Sequence, residues 1–224
     1  KMKKIKFRGQ KRQDEWVVTS ILPYLKKGFF LDLAAYDGVT NSNTFVLEND
    51  LGWNGICVEA NPISFKKLKS KRNCILENSP ISDKREIIQF RIDNGQCGGI
   101  VADDTDNSKE IRSVALETAT VIDLQAITIN ELLEKHNAPS HINYWSLDIE
   151  GCEERVISTL DFSKYSFDCI TIERPTPRCN EILQNNGYVF VKNFNFDSFY
   201  VSSHIQKTND IICDKFEQIP KKRG

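Results

Sequence analysis

Short apolar runs that end in a carboxylate or lead into an amide recur along this chain, and between them the apolar positions change to helical spacing. Phe29 to Leu33 carries Asp32 near its end and enters the polar turn Ala34-Ala35-Tyr36-Asp37-Gly38. Gly55 to Val58 ends on Glu59, Cys74 to Leu76 leads into Asn78-Ser79-Pro80, Ile142 to Leu147 ends on Asp148, and Asp168 to Ile172 ends on Glu173. Such runs, bounded by turn residues, predict buried strands. Helices are predicted between them. Asp14 to Lys26 carries Trp16, Val17, Ile21 and Leu25 at helical spacing, with Pro23 limiting its regularity. Asn41-Ser42-Asn43-Thr44 offers N-caps for a helix to about Asn49, and Asn61-Pro62 opens one that ends near Arg72. Thr128 and Glu131 form a capping box for a helix through His136, Gly151 starts another with Val156, Ile157 and Leu160 inward, and Cys179 to Asn185 stops at Gly187.

Alternating strands and helices predict an α/β fold with a doubly wound, Rossmann-like, mostly parallel sheet. Tyr188 to Val191 and Ser198 to Ser202 alternate across Asn193-Phe194-Asn195 and predict a C-terminal antiparallel hairpin. Between about residues 86 and 122 the pattern breaks into short strand-like runs and the polar stretch Asp103 to Arg112, which predicts a cap-like insertion with a mobile loop over the cleft. The expected organisation is a basic flexible arm over 1–13, one domain over 14–220 and a basic tail over 221–224.

Composition narrows the partners. The 224 residues suit one large domain, and 30 basic against 31 acidic side chains give no bulk electrostatic case for nucleic acid or a membrane surface. No apolar run reaches the roughly 18 residues of a membrane span. Seven cysteines without a C-x-x-C pair read as free thiols in a reducing, cytoplasmic setting. Lys1, Lys3, Lys4, Lys6, Arg8, Lys11 and Arg12, with Lys221-Lys222-Arg223, concentrate charge at the ends. These read as solvated termini, and the Lys-first start also fits a domain cut from a longer protein.

In a doubly wound sheet, ligands bind beyond the carboxyl ends of the strands, where Asp32, Glu59, Asn78, Asp148 and Glu173 are expected. Glu59 follows Asp32 by 27 residues, close to the spacing at which an acid meets a nucleoside ribose. The first turn lacks G-x-G-x-x-G, and an acid at position 32 repels a diphosphate, so a nicotinamide oxidoreductase is the weaker alternative. The same acid suits a ligand bearing an ammonium and a sulfonium.

Phe30-Leu31-Asp32-Leu33-Ala34-Ala35-Tyr36-Asp37-Gly38, Ser42-Asn43-Thr44 with Leu47-Glu48, Gly52-Trp53-Asn54-Gly55 with Val58-Glu59-Ala60-Asn61-Pro62, Tyr144 to Glu153, and Ile170-Thr171-Ile172-Glu173 occur in this order. Through them the chain resembles the FkbM family of S-adenosylmethionine-dependent methyltransferases. The resemblance implies a Rossmann-like methyltransferase fold and O-methylation of a hydroxyl on a sugar, glycan or glycosylated small molecule, and with the Lys-first start it fits a domain of a larger glycan-assembly protein. Ala34 stands where the family usually has glycine, and Arg174-Pro175 where it more often has His-Asn, which bears on the acceptor side.

The expected cofactor-binding set is Asp32, Ala34, Ala35, Asp37, Gly38, Asn43, Glu59, Ala60, Asn78, Ser79 and Asp148. Asp148, Glu150 and Glu173 are candidate catalytic groups, either as a general base or, for Asp148 and Glu173, as an oxygen-rich site for Mg²⁺ or Mn²⁺. Glu150 and Glu153 also fit the first turn of a helix, and Glu173 an ion pair with Arg174 or Arg178. His136 and His141 read as solvated. His204 is a candidate for the acceptor cleft, Arg174, Arg178 and the 103–112 loop for acceptor choice, and Phe194, Phe196, Phe199 and Tyr200 either stack on a sugar or close the core. A non-catalytic interaction module is the remaining alternative.

Overall fold

The computed structural model describes residues 5–220, apart from the side chain of Val114. The charged ends Lys1, Lys3, Lys4 and Lys221 to Arg223 lie outside the described residues. Residues 5–13 run along the fold: Ile5 and Phe7 pack on its core, the Arg8 N–H donates to the Asp14 carboxylate at 2.6 Å, and Gln13 is buried.

The first helix is irregular for a local reason. α1 (Gln13–Trp16) widens into a π-helical turn, Val17–Ile21, closed by the Leu22 N–H on the Val17 carbonyl at 2.9 Å. Pro23 has no N–H to extend an ordinary α-helical ladder, so the segment ends there rather than at Lys26. Next come β1 (Phe29–Leu33), α2 (Phe45–Asn49), β2 (Asn54–Val58), α3 (Pro62–Lys69) and β3 (Ile75–Glu77). The Ser42 hydroxyl, not Thr44, caps α2, accepting from the Phe45 N–H at 3.0 Å, and the Asn61 side chain caps α3.

β4 (Ile81–Ser82) leads to the insertion, formed by β5 (Ile87–Arg91), α4 (Lys109–Glu117) and β6 (Val121–Gln125). β5 and β6 pair antiparallel as a ribbon separate from the main sheet, and β7 (Ile127–Thr128) closes the excursion by pairing parallel with β4. The polar stretch after Asp103 is largely folded in: Thr105, Asp106, Asn107 and Ser108 are buried, and the Ser108 hydroxyl caps α4. The capping box of Thr128 and Glu131 starts α5 (Ile129–Lys135) as its spacing predicts. β8 (His141–Leu147), α6 (Glu153–Thr159), β9 (Ser166–Glu173), α7 (Pro177–Asn185), β10 (Tyr188–Phe194), β11 (Asp197–Ser202) and α8 (Ser203–Thr208) complete the chain.

Seven strands form one sheet in the order β10-β11-β9-β8-β1-β2-β3. All neighbours are parallel except that β11 runs antiparallel to both β10 and β9, so the predicted hairpin enters the sheet by its second strand. Alternation sends Leu31, Leu33 and Trp145 to one face and Phe30, Tyr144 and Phe199 to the other, which gives two cores. The chain moves outward from β1 to β3 and then returns to lay β8 against β1. That reversal opens a crevice beyond the carboxyl ends of the two strands.

Candidate active site

A cavity of about 360 Å³ occupies that crevice, within the range of small-molecule sites. The ends of β1, β2, β8 and β9 form its floor, and Phe90 and residues 95–100 of the insertion form one wall. The Asn41 side-chain amide donates to the Gln96 side-chain Oε1 at 3.1 Å, and the Asn61 side-chain amide to the Ile92 backbone carbonyl at 2.9 Å, so the insertion is fastened to the turns after β1 and β2.

At the β1–β2 end every carboxylate has fixed donors. Asp32 is buried and accepts from the Thr44 hydroxyl at 2.6 Å, while Thr44 in turn accepts from Arg72 at 3.0 Å. Burial raises the Asp32 pKa, opposed by Thr44 and Arg72. Glu59 accepts from the Tyr36 N–H on one oxygen and the Asn61 N–H on the other, both at 2.8 Å. Burial lifts Glu59 to about 7 against these two bonds. Each oxygen keeps a second acceptor position, which suits a pair of vicinal hydroxyls. Ala34 faces the cavity at φ 73°, a left-handed backbone that favours glycine, and its N–H is held by the Val58 carbonyl at 3.0 Å.

The β8–β9 end is built the other way. Asp148 and Glu173 share a hydrogen bond, and burial first, then the charge of Glu173, pushes Asp148 well above the ordinary carboxylate range. Glu153 rises to about 8 by burial and the charge of Glu173, and Asp197 to about 7 for the same reasons. Arg174 pairs with Glu173, and Gln13 donates to Asp197 at 3.0 Å. Glu150 and Arg174, both at the cavity, have left-handed backbones at φ 54° and 40°. Strained non-glycine residues of this kind cluster at functional sites. The Phe196 ring lines the same end, with the Lys11 ammonium 4.5 Å and the Arg174 guanidinium 4.8 Å from its centroid.

The profile of the Methyltransferase FkbM domain matches residues 32–197, from the first strand-end acid to Asp197. The chain belongs to the FkbM methyltransferase-domain family. Solved structures that resemble it include a precorrin-6Y C5,15-methyltransferase from Geobacter metallireducens GS-15, 12% identical over 84% of each chain with a TM-score of 0.44. A TehB-like SAM-dependent methyltransferase from Corynebacterium glutamicum is 7% identical, with 85% of this chain and 87% of that chain covered and a TM-score of 0.42. Among curated proteins none matches the sequence.

In this FkbM domain the cavity gathers Asp32, Ala34, Ala35, Asn43, Glu59, Ala60, Ser79, Asp148, Glu150 and Glu173 from the residues the sequence singles out. Asp37, Gly38 and Asn78 stand behind it. Against the upward push of partial burial, Lys71 and the N–H groups of Thr40 and Val39 hold Asp37 well below the carboxylate range, which makes it a turn-former. Gly38 packs under Arg72, and the Asn78 amide donates to the Glu59 carbonyl at 2.7 Å, bracing the β2 turn from outside. Glu153, not Glu150, is the helix-start acid, accepting from the Ile149 N–H at 2.8 Å.

The side chains offered for the acceptor side divide, and most of them belong elsewhere. His204 is exposed on α8, because the chain turns away from the cavity after β11. Arg178 is exposed on α7 and pairs with Glu181 one helical turn on. Phe199 and Tyr200 are buried core, Phe194 is exposed, and only Phe196 of the four lines the cavity. His136 is not solvated but pairs with Glu77 at 2.7 Å. Gln10, Gln13, Ser146 and Asp197 had no signal in their spacing: the N-terminal segment and the β10–β11 turn reach the site only through the fold.

Proposed function

We propose that this chain is an S-adenosylmethionine-dependent O-methyltransferase acting on a hydroxyl of a sugar, a glycan or a glycosylated small molecule. The observation that carries the reading is the Glu59 carboxylate, presented at the end of β2 by two backbone N–H groups beside a cavity that leads to a second group of carboxylates. Family membership supplies methyl transfer as the chemistry. The donor's adenosine ribose takes the Glu59 carboxylate, and its charged end lies toward Asp32 and Asn43, where negative charge is favourable for a sulfonium and an ammonium.

Methyl transfer is an in-line displacement. The acceptor oxygen forms a bond to the methyl carbon, the carbon–sulfur bond breaks with its electron pair going to sulfur, and the hydroxyl proton leaves. Holding the two reactants in line supplies much of the acceleration. The Asp148–Glu173 pair is the proton acceptor in this reading, with Arg174 holding Glu173 in place. Phe196, Gln10 and Gln13 offer a ring face and amides to a polyhydroxylated acceptor. The free cysteines fit a reducing, cytoplasmic setting, and no helix among the described residues is long and apolar enough to cross a membrane.

Equilibrium dialysis with labelled S-adenosylmethionine beside a fluorescence titration with NADH tests the assignment. Retention of the first without response to the second is the expected result. NADH binding alone would assign the cavity to a nicotinamide cofactor.

A further inference from the structure

Cys57 and Cys74 bring their sulfur atoms to 3.6 Å of one another, the Cys74 thiol donating to the Cys57 sulfur. Cys57 lies within β2. Cys74 stands directly ahead of the first residue of β3, which pairs parallel with β2 in the register Ile56↔Ile75 and Cys57↔Leu76. Both side chains belong to the core on the Phe30 side of the sheet, Cys57 fully buried and Cys74 half-buried at its margin. Neighbouring strands therefore set the contact. Neither residue lines the cavity, and the Arg72 charge that stands behind Thr44 and Asp32 acts on both thiols. No step of the methyl transfer uses the pair.

A cysteine in a core packs as a small apolar side chain, and one such residue needs no further role. Two in contact have a chemistry of their own. The sulfurs close by about 1.6 Å to reach the roughly 2.0 Å of a disulfide bond. Cys74 precedes the paired residues of β3, so its shift breaks no strand pair. Exposure fixes the order of reaction: Cys74 meets an oxidant from solvent, and Cys57 lies behind it with its sulfur against that of Cys74. Burial first, then the hydrogen bond from Cys74, raises the Cys57 thiol well above its ordinary range, which leaves the first attack to Cys74.

We propose that Cys57 and Cys74 are a reversible disulfide-forming pair that ties β2 to the entry of β3 when the surrounding thiol pool is oxidised. With glutathione disulfide as oxidant, the Cys74 thiolate attacks one of its sulfurs, forming a mixed disulfide and releasing one glutathione. The Cys57 thiol then gives up its proton, its sulfur bonds to that of Cys74, and the second glutathione leaves. Two S–H bonds are lost and one S–S bond is gained, the two protons and two electrons passing to the two glutathiones. In a reducing pool the same exchange runs backward and both thiols are free, as they are in this structure.

Trypsin separates the two residues, because peptides 28–66 and 73–84 hold one cysteine each. The test incubates the folded chain in glutathione buffers of rising oxidised fraction, alkylates the remaining thiols and maps the digest by mass spectrometry. The expected result is peptide 28–66 linked to 73–84, with the link lost on adding dithiothreitol. Cys74→Ser abolishes the link, and Cys57→Ser leaves Cys74 carrying one glutathione. In urea, where the fold no longer holds these sulfurs together, the same buffers give a mixture of linkages among the seven cysteines. No link at any oxidised fraction, glutathione retained on Cys74 of the unaltered chain, or the urea mixture from the folded chain overturns the proposal. S-adenosylhomocysteine plays no part in this measurement, so the methyl-donor reading stands or falls apart from it.

Discussion

The β1–β2 end of the cavity and its β8–β9 end both carry buried acids, and the two ends hold them in opposite ways. Asp32 and Glu59 are met by a hydroxyl and by backbone N–H groups, with Arg72 behind Thr44. Each of these acids is met by donors from the turns after β1 and β2. Asp148, Glu153, Glu173 and Asp197 crowd one another, with Arg174 paired to Glu173, and the charge of Glu173 adds to burial in raising the pKa of the other three. Fixed donors suit a site that binds one ligand in one pose. Crowded acids suit a site that accepts a proton or a cation. On the proposed function, charge here divides into a binding half and a reacting half.

Removing a reacting group while leaving the binding half intact gives the largest expected effect. Glu173→Gln should lower methyl transfer by about 10²–10⁴-fold, with S-adenosylhomocysteine affinity changed by less than about threefold. Transfer from labelled donor to an acceptor that the unaltered chain methylates reads the first quantity, and calorimetry the second. A parallel loss in both would merge the two halves.

The binding half should carry its own pH dependence. On the proposed function Glu59, raised to about 7, would accept ribose hydroxyls as a carboxylate, so affinity is full above that value and is lost as pH falls through it. S-adenosylhomocysteine affinity should drop about tenfold between about pH 8 and about pH 6, and Glu59→Gln should flatten the profile. Folding has the opposite sign. An acid whose folded pKa is raised takes up a proton more readily when folded, so the Glu59 contribution to stability is greatest below the unfolded value of 4.5 and declines as pH rises to about 7.

The smallest effect should come from Arg178, next to Arg174 in composition and unlike it in place. Arg178→Ala removes an exposed pair with Glu181, worth less than about 1 kcal/mol, and should leave both affinity and acceptor turnover unchanged. A changed acceptor KM in this variant would extend the reacting half onto α7.

The same contrast explains what could be read from the chain. Asp32 and Glu59 were legible because a strand, its end and the following cap lie within a few residues, and Asn61-Pro62 sets the turn that brings one of the two backbone donors, the Asn61 N–H, to Glu59. The sheet was legible for the same reason, through the runs that became β1, β2, β8 and β9. The reacting half draws Glu173 from β9, Asp197 from β11 and Gln13 from α1, and no local pattern signals that these meet. The polar stretch 103–112 read as a mobile loop because its residues are hydrophilic, whereas Thr105 to Ser108 are buried by contacts with the distant turn at Glu150. The two-residue strands β4 and β7 are too short for any periodicity to show.

The most direct measurement is calorimetric titration of S-adenosylhomocysteine into the unaltered chain and Glu59→Ala side by side. The account predicts one site per chain at micromolar affinity, weakened about 100-fold by a substitution that removes the ribose acceptor and leaves the Tyr36 and Asn61 N–H groups without their carboxylate. No binding to the unaltered chain, or equal binding to both proteins, would contradict it.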